Sequence, residues 1–356
     1  MTKFIITALF FSVCGYNLHA QWIKKVQLPP GQVFNIISPV DDSIAWLCTY
    51  RDTLYITANG GTTLHKINPP VFSTGNSITA MSAISVSSAI ICALNINNNS
   101  SGVYKTIDTG KTWKEVLPLK GMNTFLISMS TAKTGLLVCT KPAGTVSDLY
   151  RTINGGNTWN SIPGPQGAHF FTDMSLKKNY VWLINSDSLF YSADYGIKWS
   201  SEMLPATNGA RPNNLCMESN TYGIFNSGVF TDLFVKRPGV TGWQHIGDPG
   251  EHPFGIALEC MLLQDSQCMF AAPQDVPFNY YSADSAKTFT RIIVQRNPPT
   301  AFSILEKSRT GKNIWAATSV SSTLWVYENK TVYAVKRINK KPSFIYPESV
   351  LTGQTH

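Results

Sequence analysis

Gly102 to Trp113 reads GVYKTIDTGKTW, and Asp148 to Trp159 reads DLYRTINGGNTW. Both segments have an apolar and aromatic start, a Thr, an Asp or Asn two residues later, a Gly-containing turn and a final Trp. Asp, Asn and Gly favour tight turns, and the flanking residues favour strands. Each segment is therefore expected to form one β-hairpin.

The same twelve-residue motif recurs along the chain, which is the signature of a repeat fold. Its Asp or Asn marker recurs every 40 to 49 residues, with Pro238 standing in a degenerate fifth copy. The marker residues are Asn59, Asp108, Asn154, Asp194 and Asp284, and Trp113, Trp159 and Trp199 end three of the copies. A weaker seventh unit begins at Thr323. Such intervals suit one four-stranded propeller blade each.

Apolar runs before each motif supply candidates for the other strands, among them Phe34 to Ile37 and Ile44 to Cys48. Seven rounds of this meander predict an all-β fold, a seven-bladed β-propeller of four-stranded antiparallel blades. Two segments compete to complete the last blade, Trp22 to Val26 and Val332 to Ile338. The N-terminal segment is favoured, because it resembles the strands that follow the motif and an unpaired edge must be covered.

The N-terminus has the layout of a secretory signal peptide, with Lys3, an apolar run from Phe4 to Val13 and a small residue at Ala20. Ten apolar residues are too few for the roughly 20 that span a bilayer. We expect a signal peptide at 1–20, a propeller at 21–338 and a flexible tail at 339–356. The chain is then a monomer without a transmembrane segment, secreted, periplasmic or on the cell surface.

Charge and cysteine content restrict the chemistry further. The 29 bases exceed the 21 acids by eight, but the bases are dispersed, so no nucleic-acid site is predicted. No Cys or His spacing fits a metal site, and none is expected. Cys48, Cys92 and Cys139 fall in similar apolar runs and are predicted to pack in the core. Cys260 and Cys268 are close enough for a hairpin disulfide, although spacing alone does not fix the pairing.

The motif resembles the Asp-box, or BNR repeat, whose pattern is S/T-x-D-x-G-x-T-W. In that family it forms the turn between the third and fourth strands of a blade, away from the catalytic face. The resemblance implies that the marker residues and their Trp partners are structural, with the Trp rings covering apolar surface between blades. Sugar stacking by these rings is the alternative.

A catalytic site is not predicted. Sialidases of this resemblance carry an Arg-Ile-Pro near the N-terminus and three substrate-binding arginines, but here only Arg51 precedes residue 151. Glycoside hydrolysis needs two carboxylates across a cleft, and no acid has a recognisable catalytic context. Acids in candidate loops are Asp41, Asp42, Asp148, Asp173, Glu251 and Asp275.

The chain is also similar to photosystem-assembly-factor-like and sortilin-like exported propellers, which are generally adaptor or binding proteins. This favours a non-enzymatic binding or assembly propeller without a cofactor, with a protein or glycan ligand on one face. The alternative is a carbohydrate-active enzyme. Loops between blades, and between second and third strands, are expected to build that face. They carry His169, Arg211, His252 and Arg296 as candidate contacts.

Overall fold

The computed structural model describes residues 22–69, 76–95, 97, 100–141, 146–167, 169–207, 211–227, 232–246, 260–264, 267–271, 278–293, 302, 304–318 and 322–328. These residues form 28 strands in seven four-stranded antiparallel sheets, and no helix. Alternation of apolar runs with turn residues every few positions accounts for this all-β outcome.

The first and second strands of each blade form its inner half. The first strands are β2 (Phe34–Pro39), β6 (Asn76–Ala83), β10 (Asn123–Met129), β14 (Asp173–Lys177), β18 (Pro212–Ser219), β22 (Cys260–Gln264) and β26 (Ile304–Lys307). The second strands are β3 (Ala45–Thr49), β7 (Ala89–Asn95), β11 (Gly135–Thr140), β15 (Tyr180–Ile184), β19 (Tyr222–Ser227), β23 (Gln267–Ala271) and β27 (Ile314–Ala317).

The third and fourth strands form the outer half. The third strands are β4 (Leu54–Thr57), β8 (Ser100–Thr106), β12 (Ser147–Thr152), β16 (Ser188–Ser192), β20 (Asp232–Lys236), β24 (Phe278–Ser282) and β28 (Thr323–Tyr327). The fourth strands are β5 (His65–Ile67), β9 (Lys114–Leu119), β13 (Asn160–Ile162), β17 (Ser200–Met203), β21 (Trp243–His245), β25 (Thr290–Ile293) and, in the last blade, β1 (Trp22–Gln27).

Each first strand contacts the first strands of the two neighbouring blades, and β26 contacts β2. The sheets therefore form a closed ring around a central axis, with the first strands innermost. We number the blades 1 to 7 in the order of these strands. The end of the ring where the first strands begin is the loop end, and the end where they finish is the turn end.

The prediction of seven successive rounds of one meander needs a correction. Only six sheets are built from four consecutive strands, blades 1 to 6. Blade 7 is composite, because β1 pairs with β28 and supplies its outer strand. An ion pair of 3.1 Å between Lys25 and Glu328 joins the same two segments. This is the closure favoured from the sequence, and Val332 to Ile338 lies outside the described residues.

The core lies between blades. Second strands such as β3, β11 and β19 are buried along their whole length, because each is covered by neighbouring sheets on both faces. Fully buried Trp46, Trp182 and Trp315 are the largest side chains in these strands. One hydrophobic cluster joins blade 1 to blade 2, and another joins blade 1 to blade 7.

The cysteines in these strands pack as small apolar residues. Cys48, Cys92 and Cys139 are fully buried free thiols, and burial raises the pKa of each to about 12. Cys268 is likewise a free thiol, and it pairs across the hairpin with Leu262. A disulfide from Cys268 to Cys260 is therefore not formed.

Glycines in the motif turns allow neighbouring blades to approach closely. Gly110 has a φ of +76°, and a Cβ built on it would lie 2.1 Å from Cγ2 of Ile67 in blade 1. Gly156 approaches Ile90 of blade 2 in the same way, with a Cβ distance of 2.3 Å to Cδ1. Glycine is thus required at this position for two reasons. It adopts a positive φ without strain, and it has no Cβ that would clash with the neighbouring blade.

Gly110→Ala is expected to lower the free energy of unfolding by about 1 to 3 kcal/mol more than Gly121→Ala, since only the first substitution overpacks an interface. Gly121 also has a positive φ, +64°, but open space around it. Both variants therefore share a backbone cost of about 1 kcal/mol. Urea unfolding measures the difference. Ile67→Ala should cost less in the Gly110→Ala background than in the wild type, because the clash is then relieved. Equal losses in the two glycine variants would rule out the steric explanation.

Candidate functional site

Five of the motif copies form the same turn, organised by a buried hydroxyl. In blade 2 the Thr106 hydroxyl donates to Oδ1 of Asp108 at 2.9 Å and accepts from the N–H of Gly110 at 2.9 Å. Oδ1 of Asp108 also accepts from the N–H of Thr112 at 2.9 Å. The equivalent bonds occur at Thr57 and Asn59, Thr152 and Asn154, Ser192 and Asp194, and Ser282 and Asp284.

Hydrogen bonding keeps the turn carboxylates ionised. Bonds from the Thr112 side chain and main chain lower the pKa of Asp108 to about 2. The pKa of Asp194 is lowered by the Lys198 N–H and the Ser192 hydroxyl. These acids are bound within their own turns, which is a structural role.

In blades 1 to 4 the turn is fastened to the first hairpin of its own blade by a main-chain hydrogen bond. The N–H of Thr109 donates to the Ser87 carbonyl at 2.9 Å, and the N–H of Gly155 donates to the Lys133 carbonyl at 2.7 Å. Motif turns and first hairpins therefore lie together at the turn end.

Basic residues of the third strands reach the turn of the next blade. Lys105 donates to Asn157 at 2.8 Å, and Arg151 donates to the Tyr195 carbonyl at 3.4 Å. Arg237 of the degenerate fifth copy donates to the carbonyls of Ser285 and Ala286 at 2.6 and 2.7 Å. Blade 5 lacks the turn itself but stabilises the turn of blade 6.

The motif Trp residues lie against the preceding blade. The indole N–H of Trp113 donates to the Asn68 carbonyl at 3.2 Å, and its ring meets Trp46 edge-on. Trp199 donates to the Pro163 carbonyl at 3.2 Å, and Trp159 is buried in the cluster shared by blades 2 and 3. None of the three rings is placed at the mouth of the central channel.

The first strands enclose a central channel of about 560 Å³, lined by residues of blades 1 to 5 and 7. Serine hydroxyls at equivalent positions bind the N–H groups of the next blade. Ser38 accepts from Ala83 at 2.8 Å, Ser82 from Met129 at 3.0 Å, and Ser175 from Met217 at 3.1 Å. Their recurrence in the aligned first strands was a signal that the sequence analysis missed.

Two channel carboxylates also connect blades 4 and 5. Asp173 accepts from the N–H groups of Met174 at 2.7 Å and Leu215 at 2.6 Å. Burial nevertheless raises its pKa to about 6. Glu218 forms an ion pair with Lys177. Both carboxylates are therefore bound to groups of the protein itself. A general acid and base for glycoside hydrolysis would instead need to face the substrate.

Arg309 lies across the turn end of the channel. Its guanidinium donates to the carbonyls of Ala83 at 2.9 Å, Ile84 at 2.8 Å and Met129 at 3.3 Å. A side chain of blade 7 thus binds blades 2 and 3 directly. Nothing in the local sequence around Arg309 indicates this contact.

Asp41 and Asp42, considered as loop acids from the sequence, lie in the first hairpin of blade 1 at the turn end. Asp41 caps its own hairpin by accepting from the N–H groups of Ser43 and Ile44. Asp42 accepts from the N–H groups of Lys312 and Asn313 at 2.8 and 2.7 Å, which joins blade 1 to blade 7. Asp42 therefore helps to close the ring.

Two of the four candidate contacts fall within the described residues, at the loop end. The His169 ring packs on Phe190 with centroids 4.5 Å apart, and its Nε2 lies 2.8 Å from the Gln166 carbonyl oxygen. Arg211 is exposed just before β18. His169 is thus held by its own loop, whereas Arg211 faces solvent. His252 and Arg296 lie outside the described residues.

The loop end also presents groups that the sequence analysis did not select. Tyr50 is 63 % exposed beside exposed Arg51, and Lys141 is exposed on blade 3. Partly exposed Phe125 and Phe170 stack with centroids 5.8 Å apart. Within the described part of the chain, the loop end therefore combines free cations with accessible aromatic rings.

Two classes of site are absent from the described residues. They contain no group of three or more His, Cys, Asp or Glu side chains placed to hold a metal ion. Nor do they contain a helix long and apolar enough to cross a membrane.

No protein-family model matches the sequence, and no curated protein matches it significantly. Solved structures are similar in fold. YCF48 from Cyanidioschyzon merolae superposes with a TM-score of 0.64 at 15 % identity, covering 86 % of this chain and 99 % of that chain. A structure of YCF48 bound to D1 peptide gives 0.64 at 14 % identity, covering 86 % and 94 %.

An enzyme is similar too. The GH74 xyloglucanase from Xanthomonas campestris gives a TM-score of 0.63 at 15 % identity, covering 89 % of this chain and 54 % of that chain. The chain thus spans about half the length of that enzyme. At these identities the comparisons establish a β-propeller fold.

Asp108→Asn is expected to reduce the fall in the free energy of unfolding as the pH is lowered, because the neutral amide has no carboxylate to protonate. The folded pKa of Asp108 lies near 2, below the usual value of about 3.9. Its contribution is therefore complete above about pH 4 and lost as the pH falls towards 2. The free energy of unfolding, measured across this range, should approach that of the variant at the acid end.

The reciprocal variant Asn154→Asp is the matched control, because Asn154 forms the same turn. It should add a pH dependence of the same sign. A difference between wild type and Asp108→Asn that stays constant from pH 4 to 2 would contradict the assignment.

Proposed function

We propose that the chain is an exported, non-enzymatic binding or assembly propeller that holds a polypeptide segment at its loop end. The observation that supports this proposal is that charged side chains of the central channel are bound to other blades of the ring. Asp173, Glu218 and Arg309 all bind groups of neighbouring blades. A fixed scaffold in which Asp173 and Glu218 already have structural partners suits recognition on an outer face better than catalysis in the channel.

The loop-end surface is suited to an extended acidic segment. Arg51, Lys141 and Arg211 are exposed, and the accessible rings of Tyr50 and Phe170 supply apolar contact area. Arginine and tyrosine are enriched at protein interfaces, where they supply much of the binding energy. Peptide binding by the structurally similar YCF48 supports this class of ligand.

The five hydroxyl-centred turns belong to the same proposal, as Asp-box repeats with a structural role. Export rests on residues 1–20, which have the signal-peptide layout, and a cleaved chain would act outside the cytoplasm. The tail at 339–356 would then be a flexible end.

A carbohydrate-active enzyme is the second candidate, favoured by the similarity to the GH74 xyloglucanase. It requires a pair of carboxylates across a glycan cleft. Asp173 has the raised pKa of a general acid, about 6, but its oxygens accept from two main-chain N–H groups.

An array of unstructured peptides, probed with the purified protein, tests the proposal. Bound peptides are expected to be rich in Asp and Glu. The double variant Arg51→Glu and Arg211→Glu should weaken their binding by about tenfold or more, since two like charges then face the ligand. Lys66→Glu combined with Lys114→Glu, at exposed positions on β5 and β9, is the matched charge control and should bind normally.

Binding that is equal in the double variant and the control would exclude the loop end as the site. Release of reducing sugar from xyloglucan, abolished by Asp173→Asn, would instead establish the enzymatic alternative.

A further inference from the structure

The apolar surface of the ring is distributed unevenly between its two ends. Nine large hydrophobic side chains are exposed among the described residues. Six of them lie at the turn end, in blades 2 to 5: Val86, Ile107, Ile153, Tyr180, Ile197 and Val240. Exposed apolar residues that cluster on one surface commonly mark an interaction site.

The two most exposed of these isoleucines are not required by the turns that carry them. Ile107 is 69 % exposed and Ile153 is 62 % exposed. Each stands between the turn hydroxyl and the Asp or Asn marker, and its apolar side chain makes none of the hydrogen bonds that form the turn. Ala58, Ala193 and Ala283 occupy the same position in blades 1, 4 and 6. The fold therefore accepts alanine there, and isoleucine on two adjacent blades needs another explanation.

A groove separates blades 2 and 3 beside Ile153. It has a volume of about 470 Å³ and is lined by Ile84, Ser88, Lys105, Ala132, Lys133, Ile153, Asn154 and Gly155. The lining contains two lysines and no acid. Lys105 binds the neutral Asn157 amide oxygen, and Lys133 is exposed. The turn carboxylate of blade 2, Asp108, does not line the groove and is bound within its own turn.

We propose that this groove is a second docking surface, which takes an acidic, amphipathic segment of a partner protein. Apolar side chains of the segment would pack on Ile84 and Ile153, and its carboxylates would meet Lys105 and Lys133. Charge complementarity selects an acidic partner, since the groove holds only positive charge. Its concave shape suits an inserted segment better than a flat membrane surface.

This surface lies at the opposite end of the ring from the proposed loop-end site. One scaffold could then hold two polypeptides at once, which goes beyond a single binding face. It also makes the two sites separable, because substitutions at one end do not touch the other.

The test uses a short fluorescent peptide of alternating leucine and glutamate, with fluorescence anisotropy as the readout. A peptide of alternating serine and glutamate and one of alternating leucine and lysine are the controls. In the Arg51→Glu and Arg211→Glu background, which removes the cations of the loop-end site, the chain should bind only the first, with an affinity that falls as salt is added. Ile153→Ser should weaken binding about tenfold, the loss expected for one apolar contact.

Lys133→Glu should weaken binding by a similar factor. Val146→Ser and Lys66→Glu are the matched controls, at exposed positions away from the groove, and should bind normally. Every substitution is compared within the Arg51→Glu and Arg211→Glu background, so that a loss of peptide binding reports on the groove and not on the loop end. Far-UV circular dichroism and urea unfolding confirm that each variant is folded.

Three outcomes would overturn the proposal. One is the absence of leucine–glutamate peptide binding, and another is equal binding by Ile153→Ser and Val146→Ser. The third is binding to phosphatidylserine vesicles that depends on Ile153 without any binding of the peptide, which would make the patch a membrane contact.

Discussion

A buried hydroxyl organises each of the five motif turns, and the spacing between blades depends on it. Thr57, Thr106, Thr152, Ser192 and Ser282 are at most 1 % exposed, and each donates one hydrogen bond and accepts another. A buried hydroxyl without partners would cost roughly 1 to 3 kcal/mol, so the turn must keep the geometry that satisfies it. In blades 1 to 4 that geometry places a glycine at positive φ against the preceding blade, and in blade 6 Ala286 takes the same positive φ. The Asp or Asn marker at the surface is thus held by a hydroxyl that lies in the interior.

Ring closure adds a constraint that no single blade can satisfy. A sheet with both faces apolar is stable only between two neighbours, so blade 7 must be completed and must meet blade 1. The β1–β28 pairing completes it, and Asp42 joins the two first hairpins through Lys312 and Asn313. Arg309 then connects blade 7 to blades 2 and 3 across the axis. The N-terminal segment and the last blade therefore hold each other in place.

Most of what could be predicted from the sequence was local in origin. The pairing of β1 with β28 is the exception, and it followed from the likeness of Trp22 to Val26 to the strands that come after the motif. The turns follow from residues at most four positions apart, and strands such as β3 and β7 are plain apolar runs. Strand β14, with the sequence DMSLK, has no such run, and it lines the central channel. Hydrogen bonds between residues far apart in the sequence were not predicted. They are those of Arg309 with Ala83, Asp42 with Lys312 and Arg237 with Ser285. Their partners lie in other blades, and a single sequence gives no spacing rule for such pairs.

The same distinction bears on function. At the turn end, the marker acids, glycines and hydroxyls are fixed by the needs of the fold, so their recurrence carries no information about a ligand. Departures from the repeat are more informative, because the fold does not demand them. Ile107 and Ile153 replace an alanine that suffices elsewhere, and Lys133 adds a charge that no acid of its groove balances. At the loop end, Arg51 and Arg211 likewise belong to no repeated position. In a propeller whose residues at repeated positions maintain the fold, ligand-binding residues are best sought at the positions that differ from the repeat.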